Sequence, residues 1–400
     1  MHSGEDPDGK LLFYTFRYLI YMGISAHDYD YNTKKLIYKQ WAGDYCAVVD
    51  CFFLVTGPFY TTYISKYLRC EVFMTRYTAM YMNCLILMAQ FIGIALSRFG
   101  NWLQRKQTIF IYDELNKIRL TEFPFPRERF NKIRNEIKMV IYSKILCSCF
   151  VTLGLSAIIV YQSKGGLVID YYWAVLSIFV LIILIAMENQ ICVAMIFGAY
   201  IFKMLNCRLV WVVEEINSLC EKKAEHIVNR KTGLLCYEMK NIGRIHTSVL
   251  SLIIKYKDTV NMHILLIMSS IILSQVYYAY IFLILLNGTY SDGEFQKMCA
   301  FATCFISFVD LWLMVYICGD VIESCDSSGK TLGSLSTYNK LNKQLETRVQ
   351  ILTYQFIREK MELMIFGMFN LNWATGFVMT GVAVEYLIIL VQFDYHDFDF

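Results

Sequence analysis

Residues 168–202 read VIDYYWAVLSIFVLIILIAMENQICVAMIFGAYIF, a run with two acids, Asp170 and Glu188, and no base. About twenty apolar residues cross the roughly 30 Å hydrocarbon core of a bilayer. At 1.5 Å rise per residue this run makes a helix of about 50 Å, so it must tilt or continue beyond the membrane. The rest of the chain points the same way. Of 400 residues, 56% are hydrophobic, 16% aromatic and 18% charged. Soluble domains average roughly 45–50% apolar and about a quarter charged. A net charge of +3 is no polyanion-binding signature. The N-terminal stretch MHSGEDPDGK is polar and acidic, so no cleavable signal peptide is read there.

Apolar runs near 41–64, 73–98, 137–161, 168–202, 261–287, 297–322 and 363–393 predict an all-α, polytopic membrane protein with seven transmembrane helices. Asp44 and Asp50 interrupt the first of them. Cytoplasmic loops retain Lys and Arg, and 31 of the 37 basic residues fall in 1–40, 98–138, 203–260 and 323–362. This asymmetry predicts a cytosolic N-terminus and an extracellular C-terminus. The triplet Asn287-Gly288-Thr289 then lies outside, as a glycosylation acceptor should. The expected division is a cytosolic segment over 1–40, spans one to six with cytosolic helical extensions over 41–322, a cytosolic anchor helix over 323–362, a seventh helix over 363–393 and an extracellular tail over 394–400. Leu335, Leu341, Leu345, Val349, Leu352 and Phe356 form a helical stripe in the anchor segment, a pattern that wants a partner helix rather than the membrane surface.

Several function classes are excluded by what the spans lack. A G-protein-coupled receptor would have the opposite orientation, an acidic-Arg-Tyr triplet closing span three and an Asn-Pro-x-x-Tyr in the last span. Here span three reads KMVIYSKILCSCF, and no proline lies in the last six spans. HExxH, GxSxG, GxGxxG and phosphate-cradling loops are absent, and the six histidines are scattered. No enzyme, metal site, cofactor or nucleic-acid partner is therefore expected. His263, at one end of a span, reads as a packed or capping residue. The charges inside the spans are Asp44, Asp50, Lys144, Glu188, Asp310 and Glu385, and such residues are costly and functional by default. A polytopic transporter is the competing reading, although Gly and Pro do not recur at matched positions in two halves.

The end of the chain carries a specific pattern. Glu385-Tyr386-Leu387-Ile388-Ile389-Leu390-Val391-Gln392-Phe393 resembles the signature of insect gustatory receptors, which is Thr-Tyr, five hydrophobic residues and Gln-Phe, with Glu385 standing where the family has Thr. Gly367-Met368-Phe369-Asn370-Leu371-Asn372 looks like the family segment that opens the same helix. The resemblance implies a tetrameric ligand-gated cation channel similar to insect olfactory receptors, as homotetramer or heterotetramer, in the plasma membrane of a sensory neuron's dendrite or soma. It implies a pore lined by four seventh spans, a cytosolic anchor, and a tastant pocket in the outer halves of spans two to six. Gln392 and Phe393 match the outer gate, and Tyr386 the motif tyrosine.

On a helix, Val378, Val382, Glu385, Ile389 and Gln392 share one stripe. A mostly apolar stripe with a polar ring suits a pore closed by dewetting, or else a packed helix face. Asp394, Asp397 and Asp399 would crowd an outer mouth with carboxylates that concentrate cations. Candidate pocket residues are Asp310, Trp173, Tyr81, Tyr277, Tyr278 and Trp312, the aromatics also being suited to anchoring in membrane lipid headgroups. Walls of Tyr, Trp, Phe, Met and Cys favour a flat, partly apolar bitter or aversive tastant. A sugar-sensing member of the family is the alternative.

Overall fold

The computed structural model describes residues 7–67, 77–123, 128–162, 168–220, 225–286, 294–333, 335 and 343–396. Helix α1 (Pro7–Tyr21) precedes an antiparallel hairpin, β1 (His27–Asp30) and β2 (Lys35–Tyr38). There follow α2 (Gln40–Tyr67), α3 (Tyr77–Glu122), α4 (Glu128–Gln162), α5 (Val168–Cys220), α6 (Glu225–Leu286), α7 (Glu294–Gly333) and α8 (Lys343–Arg358). A second hairpin, β3 (Met364–Ile365) and β4 (Phe369–Asn370), leads into α9 (Trp373–His396). The chain is thus mostly helical, with two small hairpins that the all-α expectation did not include.

Five helical segments among the described residues are long and apolar enough to cross a membrane: Phe130–Ala157, Ile178–Ser218, Lys231–Tyr280, Lys297–Gly333 and Trp373–Gln392. Helices α2 and α3 cover the first two expected spans. Most helices outrun a bilayer. α3, α5 and α6 have 46, 53 and 62 residues, and at 1.5 Å per residue α6 reaches about 90 Å. Their surplus turns gather with α8 at one end of the bundle, called here the α8 end.

Two expectations at the C-terminal side need correction. The seventh helix begins at Trp373 rather than at residue 363. Residues 363–372 fold back as the β3–β4 hairpin, closed by Leu371 N–H donating to Leu363 O (3.0 Å) and by Leu363 N–H donating to Asn370 Oδ1 (3.0 Å). Gly367 sits in its turn at φ +70°, a conformation that glycine adopts without steric cost. The Gly367–Asn372 segment therefore makes a turn before the helix instead of opening it. The expected anchor helix over 323–362 is likewise in two pieces, the last turns of α7 and then α8.

α5 is the axis of the bundle. It is apolar on every side, as a fully surrounded helix should be, and α1, α3, α4, α6 and α7 all pack on it. Its buried side chains run from Leu176 to Ile216. The stripe predicted for α8 is buried too, at Leu345, Val349, Leu352 and Phe356 together with Leu335, while Leu341 lies outside the described residues. That face packs on α6 and α7, and Gln355 Nε2 donates to Gly243 O (3.0 Å).

A charged knot ties three helices at the α8 end. Glu122, the last residue of α3, accepts from Asn241 Nδ2 (3.0 Å) and Arg244 Nη2 (2.6 Å) of α6. Arg208 of α5 lies 3.8 Å from Glu122 and pairs with Glu238 at 2.6 Å. Burial pushes the Glu122 carboxyl up, but these donors and the charges of Arg244 and Arg208 outweigh it and hold the carboxyl below its ordinary range. A depressed folded-state pKa contributes stability above the unfolded value and loses it as pH falls through the folded one. Glu122→Gln should therefore cost about 1 kcal/mol at neutral pH, read as a lower thermal midpoint of the detergent-solubilised protein. The difference between the two proteins should shrink as pH falls below 4.5, the ordinary glutamate value. A gap that widens on acidification would refute this account.

Candidate functional site

The signature helix α9 stands on a compact footing. Asn372 caps its N-terminus, its Oδ1 accepting the Thr375 N–H at 3.1 Å, the role for which Asn is favoured there. Gly376 allows a close approach to α7, since a Cβ there would sit 3.2 Å from Val315 Cγ1. Trp312 of α7 meets Phe377 edge-on at 4.9 Å between ring centroids and lies 5.7 Å from Trp373. Tyr316 reaches Trp373 from the same side at 6.0 Å. Trp312, expected in the ligand pocket, is thus placed in the joint between α7 and α9.

Above this footing α9 has little company. Met379, at 9% exposed, is its one buried large apolar side chain among the described residues. Val378, Val384, Tyr386 and Ile388, which point in different directions around the helix, are 64%, 50%, 58% and 52% exposed. The stripe residues Val378, Val382, Glu385, Ile389 and Gln392 are all exposed. The Phe393 side chain and residues 397–400 lie outside the described residues.

A charge cluster joins three other helices. Lys144 of α4 places its Nζ 2.5 Å from Glu188 Oε1 of α5 and 2.8 Å from Asp310 Oδ1 of α7. The three residues are 3%, 3% and 6% exposed. Asp310, one of the charges whose cost inside a span shows in the sequence, has Lys144 as its partner. Residue-by-residue reading had noted these charges without joining them. The signal available was one base and two acids at mid-span positions of three helices, each too costly to leave alone. A second pair, Asp50 of α2 with Arg98 of α3, is completed by Arg98 Nη2 donating to Gly23 O (2.5 Å). His263 Nε2–H donates to Ser97 O (2.7 Å), the packed role expected for it.

The remaining candidates divide. Tyr277 and Tyr278 touch edge-on at 5.5 Å, and Tyr278 packs on the small cluster Val151, Leu155 and Ile185. Beside them Gln275 Nε2 donates to Ser307 O (3.0 Å), and Gln90 Nε2 to Ser274 Oγ (3.1 Å). Tyr81 and Trp173 belong to α3 and α5, but their side chains lie outside the described residues, as does Asn287. Two cavities stand out. One of about 530 Å³ lies among α1, α2 and α3 beside Asp50 and Arg98. The other, about 570 Å³, lies between α1, α4 and α5 beside Lys144. Neither is lined by Tyr277, Tyr278, Asp310 or Trp312.

Comparison with known proteins gives a consistent result. The sequence model of the 7tm chemosensory receptor family matches residues 12–397. A Drosophila melanogaster chain provisionally named gustatory receptor 36c is 18% identical over 398 residues, covering 98% of this chain and 100% of its own length. The Drosophila gustatory receptor for bitter taste 22e is 23% identical over 191 residues, 47% of each chain. The structure resembles the insect olfactory receptor OR5 from Machilis hrabei with a TM-score of 0.70 at 14% identity, covering 96% of this chain and 98% of that one. The same receptor solved in complex with eugenol gives 0.69 at 16% identity, covering 96% and 99%.

The triad makes a sharp stability test. Lys144→Met alone leaves two buried carboxylates without their counter-charge, at a cost of about 3–5 kcal/mol. Adding Glu188→Met and Asp310→Leu removes the uncompensated charge and should recover most of that loss. Thermal midpoints from fluorescence-detected size exclusion compare the single and triple variants. A single variant as stable as the parent would mean that the carboxylates are solvated and the triad fixes nothing.

Proposed function

The chain belongs to the 7tm chemosensory receptor family, and we propose that it is a taste receptor acting as a tastant-gated, non-selective cation channel of four copies. The observation that carries this reading is α9, a membrane-length apolar helix left uncovered along most of its surface. Apolar helices in a single folded unit are normally enclosed by neighbours. Fourfold assembly would place one face of each α9 against the others around a central axis and give the rest to lipid. The fold of an olfactory receptor and the signature ending in Gln392 and Phe393 support the same arrangement.

In this reading α2, α3, α4, α5, α6, α7 and α9 are the seven spans. The α8 end is cytosolic, as the distribution of Lys and Arg supports, and the C-terminus is extracellular. Glu385, Tyr386, Ile389, Gln392 and Phe393 line or gate the pore. The tastant pocket lies in the outer half, with Tyr277 and Tyr278 in its wall, and Tyr81 and Trp173 are assigned to it by their place in the sequence of α3 and α5. Asp310 and Trp312 transmit rather than bind. They sit two residues apart on α7, the first held by Lys144 in the bundle and the second packed on the base of α9. A displacement of α7 against α4 and α5 would therefore reach the pore helix directly. The kinship with a receptor named for bitter taste and the aromatic, carboxylate-poor walls favour a bitter or aversive ligand. The site of action is the plasma membrane of a sensory neuron, with glycosylation at Asn287.

Excised patches from cells expressing the chain should show a tastant-evoked cation current that persists without GTP, while an N-terminal tag stains only after permeabilisation. A response that disappears with G-protein blockade, or a tag reachable on intact cells, would overturn the proposal.

Glu385 gives a finer test. Four copies would bring four carboxylates around the axis two turns inward of Gln392, a ring that concentrates divalent cations. Glu385→Thr should lower calcium permeability, seen as a negative shift of reversal potential in high external calcium. If Glu385 instead faces a neighbouring subunit, surface expression should fall while the reversal potential stays put.

A further inference from the structure

The cavity between α1, α4 and α5 is lined by none of the residues assigned to the tastant pocket, and its lining is mixed. Apolar side chains such as Ile141, Ile145, Leu153, Ile182, Ile185 and Ile196 dominate it. Among them runs a short polar line. Ser148 Oγ donates to Asn189 Oδ1 (3.1 Å), and Lys144 lies next to them in the wall. The rim opens on the exposed face of α4. Leu153 is 65% exposed, Ile145 and Cys149 are also exposed, and Tyr14 of α1 stands opposite them at 67%. A volume of about 570 Å³ falls in the range of small-molecule sites, which pair apolar walls with a few convergent polar groups.

Charge narrows the occupant. The ammonium of Lys144 has three donors, and Glu188 and Asp310 engage it at 2.5 and 2.8 Å. The third donor can serve an oxygen in the cavity. Lys144 already has two carboxylate neighbours, so an anion finds no free counter-charge there, while Lys144 itself repels an ammonium. A lipid tail would fill the apolar part but leave the polar line unanswered, and unanswered buried polar groups are costly.

We propose that this cavity is a second ligand site, entered from the bilayer, for a small uncharged lipophilic molecule with one hydrogen-bonding oxygen, such as an alcohol, ketone or phenol. The oxygen meets Lys144 and Ser148, and the hydrocarbon body lies between α4 and α5. The site is independent of the channel reading, because binding is read without current.

The test uses full-length protein in native membranes and 3-azioctanol, a photoreactive uncharged alcohol. Labelling should saturate and concentrate in peptides covering residues 141–153 and 182–196. Unlabelled octanol should compete, and octanoate at pH 8 should not. Prior treatment with a neutral alkyl methanethiosulfonate, which places an alkyl chain on Cys149 at the rim of already folded protein, should cut labelling several-fold. Cys149→Ser should abolish that protection. Labelling spread without saturation over exposed residues outside those peptides, such as Phe301 and Phe305, would overturn the site. So would protection that survives Cys149→Ser. Octanoate competing as well as octanol would overturn the charge selection on which the ligand class rests. A channel that fails to conduct would leave all these outcomes readable.

Discussion

Lys144 stands between Glu188 and Asp310 where three helices meet in a poorly solvated interior, and much of the bundle is arranged around that meeting. Charge–charge attraction is strong in low dielectric, yet desolvation of three ions is of comparable size, so the net contribution to stability is small. Its value is in register. A slide of α4, α5 or α7 by one residue would carry a charge by 1.5 Å along the helix and open a pair held at 2.5 or 2.8 Å. Apolar contacts tolerate such slides far better, because one branched aliphatic side chain packs much like another. The long helices of this chain are rich in Ile, Leu and Val, and a few buried charges remove that degeneracy.

The same economy operates at the α8 end, where solvation is different. Glu122, Arg208, Glu238 and Arg244 are partly exposed, so each pair contributes modestly. Their joint effect is to close α3, α5 and α6 against one another beyond the apolar spans. There α8 adds its buried leucine, valine and phenylalanine stripe. Apolar packing supplies the adhesion at this end and charge supplies the alignment. In the spans, where lipid is as apolar as the side chains, adhesion from burial is weaker and polar contacts such as Gln275 to Ser307 carry relatively more of the specificity.

How much of this was legible follows from which signals are local. The run at 168–202 announces its helix because hydrophobicity is a property of the segment itself. The stripe of α8 is equally local and was read correctly at each described position. The start of α9 was misplaced by ten residues because Met364, Ile365, Phe366 and Met368 are apolar enough to prolong a helix. Only the turn at Gly367 and the cap at Asn372 end that pattern. The triad was half legible: the cost of each charge shows in the sequence, but the partner is set by helix packing, across 44 residues for Lys144 and Glu188. The contact of Trp312 with α9 was illegible for a similar reason. An aromatic near the middle of a span suits a pocket wall as well as a helix joint, and only the approach of Gly376 distinguishes the two.

The contrast between α5 and α9 bears most on function. Both are apolar on every side, so sequence alone would bury both. α5 lies mid-chain, with helices before and after it that can close around it, and it became the axis. α9 is the last of the described helices, after a hairpin that sets it at the margin, and it packs on α6 and α7, approaching α7 closely at Gly376. Beyond Gly376, Met379 and a strip of half-buried side chains at Ala383, Leu387, Leu390 and Val391 are covered, and most of the rest of its described surface stays open. A signature that resides on the least covered span is hard to explain by packing within one chain. In the proposed tetramer the missing neighbours are copies of α9 itself, and Glu385, an exposed acid in no ion pair among the described residues, acquires a place on the shared axis.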